Sequence, residues 1–117
     1  MTSLRRLLCL LGLLTITASM PLSVAASADP AVDIAVKGFA FSPQNLKIAP
    51  GTTVTWTNRD DEPHIIVSGE AKFRSDALDT GDKFSFTFVT PGTYTYFCTL
   101  HPQMTGAIEV AKTTSSY

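Results

Sequence analysis

From Val32 onward, apolar and polar side chains alternate in short runs separated by turn residues. A period of two puts successive side chains on opposite faces of an extended chain, so each run predicts a strand with one buried face. The runs are Val32 to Gly38, Leu46 to Ala49, Thr53 to Thr57, His64 to Ser68, Lys83 to Val89, Thr93 to Cys98 and Gly106 to Val110. In the third, Val54 and Trp56 share a face; in the fifth, Phe84, Phe86 and Phe88 do; in the sixth, Tyr94, Tyr96 and Cys98 do. Those apolar faces are the expected core. No run has a helical period, and Asp76 to Asp82 has room for one helical turn at most. Pro50-Gly51 and Pro91-Gly92 read as type II turns, because Pro presets the second turn position and Gly accepts positive φ at the third. The chain is therefore expected to be all-β, a sandwich or barrel of about seven to eight short strands paired antiparallel.

The first 28 residues have a different pattern. Arg5 and Arg6 precede an apolar run from Leu7 to Ile16, and Ala26-Ser27-Ala28 has the small-x-small form of a cleavage site. This reads as a secretory signal peptide over residues 1–28, cut after Ala26 or Ala28, with export by the Sec route to the periplasm. The apolar run is about half the ~20 residues needed to cross a bilayer. Cys9 lies at its start, not at its end where a lipid-attachment cysteine would stand. Removing 28 of 117 residues leaves 89, one domain over 29–117.

Charge and composition exclude several classes. Residues 29–117 hold seven Lys and Arg against ten Asp and Glu, a formal charge of −3. No basic patch suggests a nucleic acid, and nothing in that range is apolar enough to span a membrane. Asp60-Asp61-Glu62 is either a solvated loop or an acidic patch that steers a partner.

Chemistry is concentrated in four residues. The expected mature chain has one Cys, one Met and two His: Cys98, Met104, His64 and His101. A lone thiol in an exported protein has no disulfide partner, so it is oxidised, paired between chains or held by a metal. Cys98, His101 and Met104 follow one another at three-residue spacing in a loop between two strands, which lets one point be reached by all three. His64 enters from another strand end, behind Pro63, which holds its neighbour extended. A thiolate, two imidazoles and a thioether are the donors of a blue-copper electron-transfer site. Zinc also accepts a His₂Cys set but takes a fourth strong ligand in structural sites, and the nearest carboxylate, Glu109, is five residues past Met104. Taken singly, each residue has a plainer reading: Cys98 as a buried thiol, His64 as a structural imidazole, Met104 as core filling.

The motif Cys98-Thr-x-His101-Pro-x-Met104, after Gly92-Thr-Tyr94-x-Tyr96-Phe, resembles the cupredoxins, and its short Cys-x-x-His-x-x-Met loop is similar to that of the amicyanin and plastocyanin-like members. Thr53-Val-Thr-Trp56-x-Asn58, followed by Pro63-His64, resembles the first-ligand strand of the same family. The resemblance spans Val32 to Val110. It implies a Greek-key sandwich, one copper ion cycling between Cu(I) and Cu(II) on His64, Cys98, His101 and Met104, and a tyrosine corner at Tyr94. The implied role is a monomeric electron shuttle between redox partner proteins, such as a donor dehydrogenase or a cytochrome, with His101 as the exposed conduit. The alternative is a copper-binding protein that stores or delivers the ion. An enzyme with further copper centres is not expected, since no His is left to build one. Two positions depart from the family pattern. Ile65 stands where Asn often ties the two ligand loops, leaving the Ile65 N–H to approach the Cys98 sulfur. Gln103 stands where an aromatic often precedes the Met, which weakens the apolar patch around His101.

Overall fold

The computed structural model describes residues 18–23 and 30–114. The proposed signal segment and its cleavage sites lie almost entirely outside the described residues. Eight strands follow in order: β1 Ala31–Val36, β2 Phe41–Ser42, β3 Asn45–Ile48, β4 Thr52–Asn58, β5 Ile66–Ser68, β6 Lys83–Phe88, β7 Gly92–Cys98 and β8 Thr105–Val110. They form two four-stranded sheets, β2-β1-β4-β6 and β3-β8-β7-β5, packed as a sandwich that does not close into a barrel. No helix occurs among the described residues, including Asp76 to Asp82.

The alternation places the core as expected. Ile34 and Val36 of β1, Val54 and Trp56 of β4, Phe88 of β6, Tyr96 and Cys98 of β7, and Ile108 and Val110 of β8 are buried, with Phe84, Phe86 and Tyr94 packed against them. Register aligns the faces: Trp56 sits opposite Phe84 and Val54 opposite Phe86. The outward rungs are polar. Thr53 and Thr87 share a hydroxyl hydrogen bond of 2.8 Å, and Thr55 and Ser85 one of 2.7 Å. Tyr94 Oη donates to the Thr90 carbonyl at 2.7 Å, closing the expected tyrosine corner.

Three features differ from the expectation. β1 pairs with β4, and β3 with β8, in parallel. The chain crosses from one sheet to the other between these partners, so it returns running the same way; a strict alternation of hairpins is not needed. β2 is an extra strand of two residues, too short to show a period. The buried Phe73 comes from a polar stretch between strands. Its ring lies 5.5 Å from Trp56, 5.0 Å from Phe86 and 5.6 Å from Phe88, at the centre of the aromatic core.

Tyr96 is 1 % exposed, and neither its hydroxyl nor the Trp56 Nε1 has a hydrogen-bond partner in range. Burial pushes the phenol up to about 12; the Trp56 indole N–H faces the hydroxyl from beyond hydrogen-bond range and opposes this by less. The unfolded chain gives up this proton near pH 10, whereas the folded chain keeps it to about 12. This contribution to stability is therefore complete below pH 10 and lost as pH rises to 12, at about 1.4 kcal/mol per unit. Denaturant melts of the parent and Tyr96→Phe between pH 9 and 12 should show a steeper alkaline decline in the parent. Below pH 9 the variant should be as stable or more so, because the lost hydroxyl had no partner.

Candidate metal centre

Two loops at one end of the sandwich carry the candidate residues. The first leaves β7 and returns on β8. Its backbone closes in two successive turns: His101 N–H donates to Cys98 O at 3.2 Å, and Met104 N–H donates to His101 O at 2.9 Å. Cys98 N–H donates to Met104 O at 3.1 Å, which shuts the loop at its base. The three-residue spacing therefore puts each of these residues at the end of a hydrogen-bonded turn.

The second loop holds His64. The sequence suggests a strand from His64, but β5 starts at Ile66. His64 is fixed instead by an isolated bridge to Leu78, with His64 N–H on Leu78 O at 3.1 Å and Leu78 N–H on His64 O at 2.8 Å. Beneath it lies Asn58, fully buried. Its Nδ2 donates to Glu62 O and Leu78 O, both at 2.8 Å, and its Oδ1 accepts from Asp60 N–H at 2.9 Å. One side-chain amide thus shapes the turn from 58 to 62 and the approach of His64. The tie between the two loops is a backbone one: Thr99 N–H donates to Ile65 O at 3.1 Å. It supplies the link that the Ile65 side chain, which has no amide, does not.

Cys98 Sγ lies 3.6 Å from His64 Nδ1 and 3.8 Å from His101 Nδ1, and these three donor atoms are all within 4.8 Å of one another. Metal–sulfur and metal–nitrogen bonds of about 2.3 and 2.0 Å, opened to 110–120°, separate a sulfur from a nitrogen donor by about 3.5–3.7 Å. Both sulfur–nitrogen spacings are close to that range, and the three donor atoms are near enough together to hold one ion. Cys98 is a free thiol and fully buried, as is His64; His101 is half-buried. Met104 is buried at the loop's end. Among the described residues no carboxylate joins the cluster of three. A soft thiolate with two imidazoles matches copper in either oxidation state, and the set lacks the fourth strong donor of a structural zinc.

Two residues beside the cluster have contacts to its imidazoles that the sequence does not show. Asp60 belongs to a stretch read as a solvated loop or steering patch; Asp61 and Glu62 are exposed, but the Asp60 side chain is only 12 % exposed and its Oδ2 lies 3.0 Å from His64 Nε2. Burial raises its carboxyl, but the amides of Phe39 and Gly38 and the His64 ring outweigh this and hold it below the usual carboxylate range. Phe39, 49 % exposed, has its ring edge-on to His101 at 4.9 Å and to His64 at 5.8 Å. With Leu100, 48 % exposed, it supplies apolar surface beside His101 although Gln103 does not. The only local sign of Phe39 is a large apolar residue directly after Gly38 in a turn.

A family model for the cupredoxin-like domain matches residues 7–110. Amicyanin of Paracoccus denitrificans is 35 % identical over 101 residues, 82 % of this chain and 77 % of that protein. Plastocyanin of Scenedesmus fuscus is 39 % identical over 72 residues, 52 % of this chain and 74 % of that one. Among solved structures, a purple cupredoxin from Nitrosopumilus maritimus matches with a TM-score of 0.62 and 39 % identity, covering 68 % of this chain and 98 % of that chain. A reduced Trp-to-Tyr variant of amicyanin matches with a TM-score of 0.66 and 32 % identity, over 73 % of this chain and 86 % of that one.

Proposed function

This chain belongs to the cupredoxin-like domain family, and from that premise we propose that it carries single electrons between redox partner proteins through one type 1 copper held by His64, Cys98, His101 and Met104. The observation that carries the reading is the convergence of a buried free thiol and two imidazoles within 4.8 Å. Copper bound there supplies one-electron exchange between Cu(I) and Cu(II), and its thiolate bond gives the oxidised form an intense blue absorption.

The chain's own residues hold the donors and expose one edge. The turns across Cys98, His101 and Met104 and the bridge at His64 fix the donor positions in the backbone, so little has to move between oxidation states. His64 is closed off, whereas His101 is half-buried between Phe39 and Leu100. His101 is thus the edge through which an electron leaves, and the apolar surface around it suits brief contact with another protein. Residues 1–28 act as the Sec-type export signal and 29–117 as the working domain in the periplasm. The donor is a dehydrogenase or a cytochrome, and the carrier is a monomer. The reading is of a carrier and not of a multicopper enzyme: both histidines belong to the one cluster, which leaves no imidazole for a second copper centre. A storage or delivery role is disfavoured by the enclosure of His64 and Cys98, because released copper needs open, exchangeable ligands.

The test is copper titration of the mature protein with optical and EPR spectra, then a redox titration. One equivalent, blue colour and a reversible one-electron wave are expected. A colourless Cu(II) complex, or stoichiometry above one, would overturn the reading. Met104→Gln should keep the colour and lower the potential, because a harder oxygen donor favours Cu(II) over Cu(I); an unchanged potential would make Met104 core filling only.

A further inference from the structure

The turn between β1 and β2 has an unusual residue in it. Lys37 and Ala40 exchange both backbone hydrogen bonds, at 3.0 and 3.3 Å, around Gly38 and Phe39. Both central residues have positive φ, +62° and +55°. This is the signature of a type I′ hairpin turn, whose second central position is commonly Gly. Here it is Phe, and a non-Gly residue persists in the left-handed region only where its surroundings hold it there. Something outside the hairpin must hold it there.

That holder is Asp60, 21 residues further on. Its Oδ1 accepts from Gly38 N–H at 2.7 Å and its Oδ2 from Phe39 N–H at 3.1 Å. The same Oδ2 faces His64 Nε2 at 3.0 Å. Asp60 is itself held, with its N–H on Asn58 Oδ1 and its carbonyl accepting from Thr80 Oγ1 at 2.7 Å. An ionised carboxylate only accepts hydrogen bonds. The imidazole of His64 must therefore carry a proton on Nε2, and in the neutral ring this leaves the Nδ1 lone pair facing the Cys98 sulfur.

We propose that Asp60 is the positioning residue of the metal centre: one carboxylate fixes His64 in the Nε2–H tautomer and pins the Gly38-Phe39 turn so that the Phe39 ring covers both imidazoles. This rests on the copper reading above for its effect on potential, but not for the tautomer or the turn. A carboxylate on the far nitrogen of a ligand histidine raises its basicity and orients its ring, and removing such a partner changes metal affinity by about 10–100-fold. The negative charge favours Cu(II) over Cu(I), so its loss raises the potential. The Asp60 side chain is thereby coupled to the exposed surface at Phe39, 21 residues away in sequence, through two amides.

The experiment has a metal-free and a metal-loaded arm. In the metal-free parent at mildly alkaline pH, long-range proton–nitrogen NMR should show His64 with a protonated Nε2 and a bare Nδ1, and a cross-relaxation contact between Phe39 and His101. The opposite tautomer in the parent would overturn the proposal whatever the variants do. With copper bound, Asp60→Asn should stay blue and show a raised potential, about 59 mV for each tenfold change in the Cu(II)/Cu(I) affinity ratio. Asp60→Ala should in addition lose the Phe39–His101 contact, and Asp60→Glu should return the potential toward the parental value. Equal potentials for parent, Asn and Ala variants would sink the idea. A parent that binds no copper would instead refute the copper reading and leave the tautomer test standing, so the two failures are distinguishable.

Discussion

Cys98→Ser should abolish the blue absorption of the copper-loaded protein completely while leaving the sandwich folded. The colour comes from charge transfer out of a thiolate, and Cys98 is the free cysteine among the described residues. Serine has nearly the same shape, so β7 keeps its pairing, with Cys98 still opposite Ile66 across the sheet. What changes is the donor. A hydroxyl is not ionised at neutral pH and is a hard oxygen, so the variant holds only two imidazoles and a thioether and loses the ligand that copper prefers in both states. The metal-free variant should lie within about 1–3 kcal/mol of the parent, the cost of burying a weakly paired hydroxyl. The measurements are the visible spectrum and a urea melt of the metal-free form. Retained blue colour would place the thiolate elsewhere; an unfolded variant would make the thiol a packing group first. The metal-loaded parent should also resist urea better than its metal-free form, since an ion bound only by the folded state stabilises it by mass action, whereas Cys98→Ser should gain little from added copper.

The parts of this protein that were legible in its sequence are those whose cause is local. Strands with one buried face leave a period of two, so Val54-Thr-Trp56 and Phe84-Ser-Phe86-Thr-Phe88 could be assigned to faces from residue order alone. The pairing direction of β1 and β4 was not legible, because it is set by which sheet the intervening chain visits. The same division holds at the site. Cys98, His101 and Met104 are brought together by turns of three residues, and their spacing shows it. His64 could be added because it is one of only two histidines. Asp60 could not be told from Asp61 or Glu62: what distinguishes it is contact with Gly38 and Phe39, 22 and 21 residues earlier. Phe73 and Leu78 are single apolar residues in polar surroundings. With no period to read, only the tertiary fold shows that one fills the core and the other holds the His64 backbone.

Gly106→Ala should be the most damaging substitution of a single small side chain outside the metal ligands. Gly106 is buried on β8, directly opposite Tyr96 on β7, and an added Cβ would overlap the Tyr96 phenol ring at three of its atoms. Its neighbours restrain the ring. It is 1 % exposed and wedged edge-on against Trp56 at 5.4 Å and Phe41 at 4.7 Å, with Phe73 at 6.3 Å. Overpacking in such a core costs about 1–3 kcal/mol and more where nothing can give, which is a large share of the 5–15 kcal/mol that holds a small domain folded. The damage should reach the metal centre, because Gly106 and Tyr96 are each two residues from a proposed ligand, Met104 and Cys98. A displaced β7–β8 pair shifts the base of the turn that Cys98 N–H and Met104 O close. Urea melts should show a drop of at least about 2 kcal/mol, and the copper-loaded variant should show a broadened visible band. The double variant Gly106→Ala with Tyr96→Ala separates the causes. If overlap with the ring is the reason, removing the ring should recover part of the loss, so that the two changes together cost less than the sum of their separate effects. A Gly106→Ala protein as stable as the parent would mean that the Tyr96 ring has room to move, and that the core is looser at this end than its burial indicates.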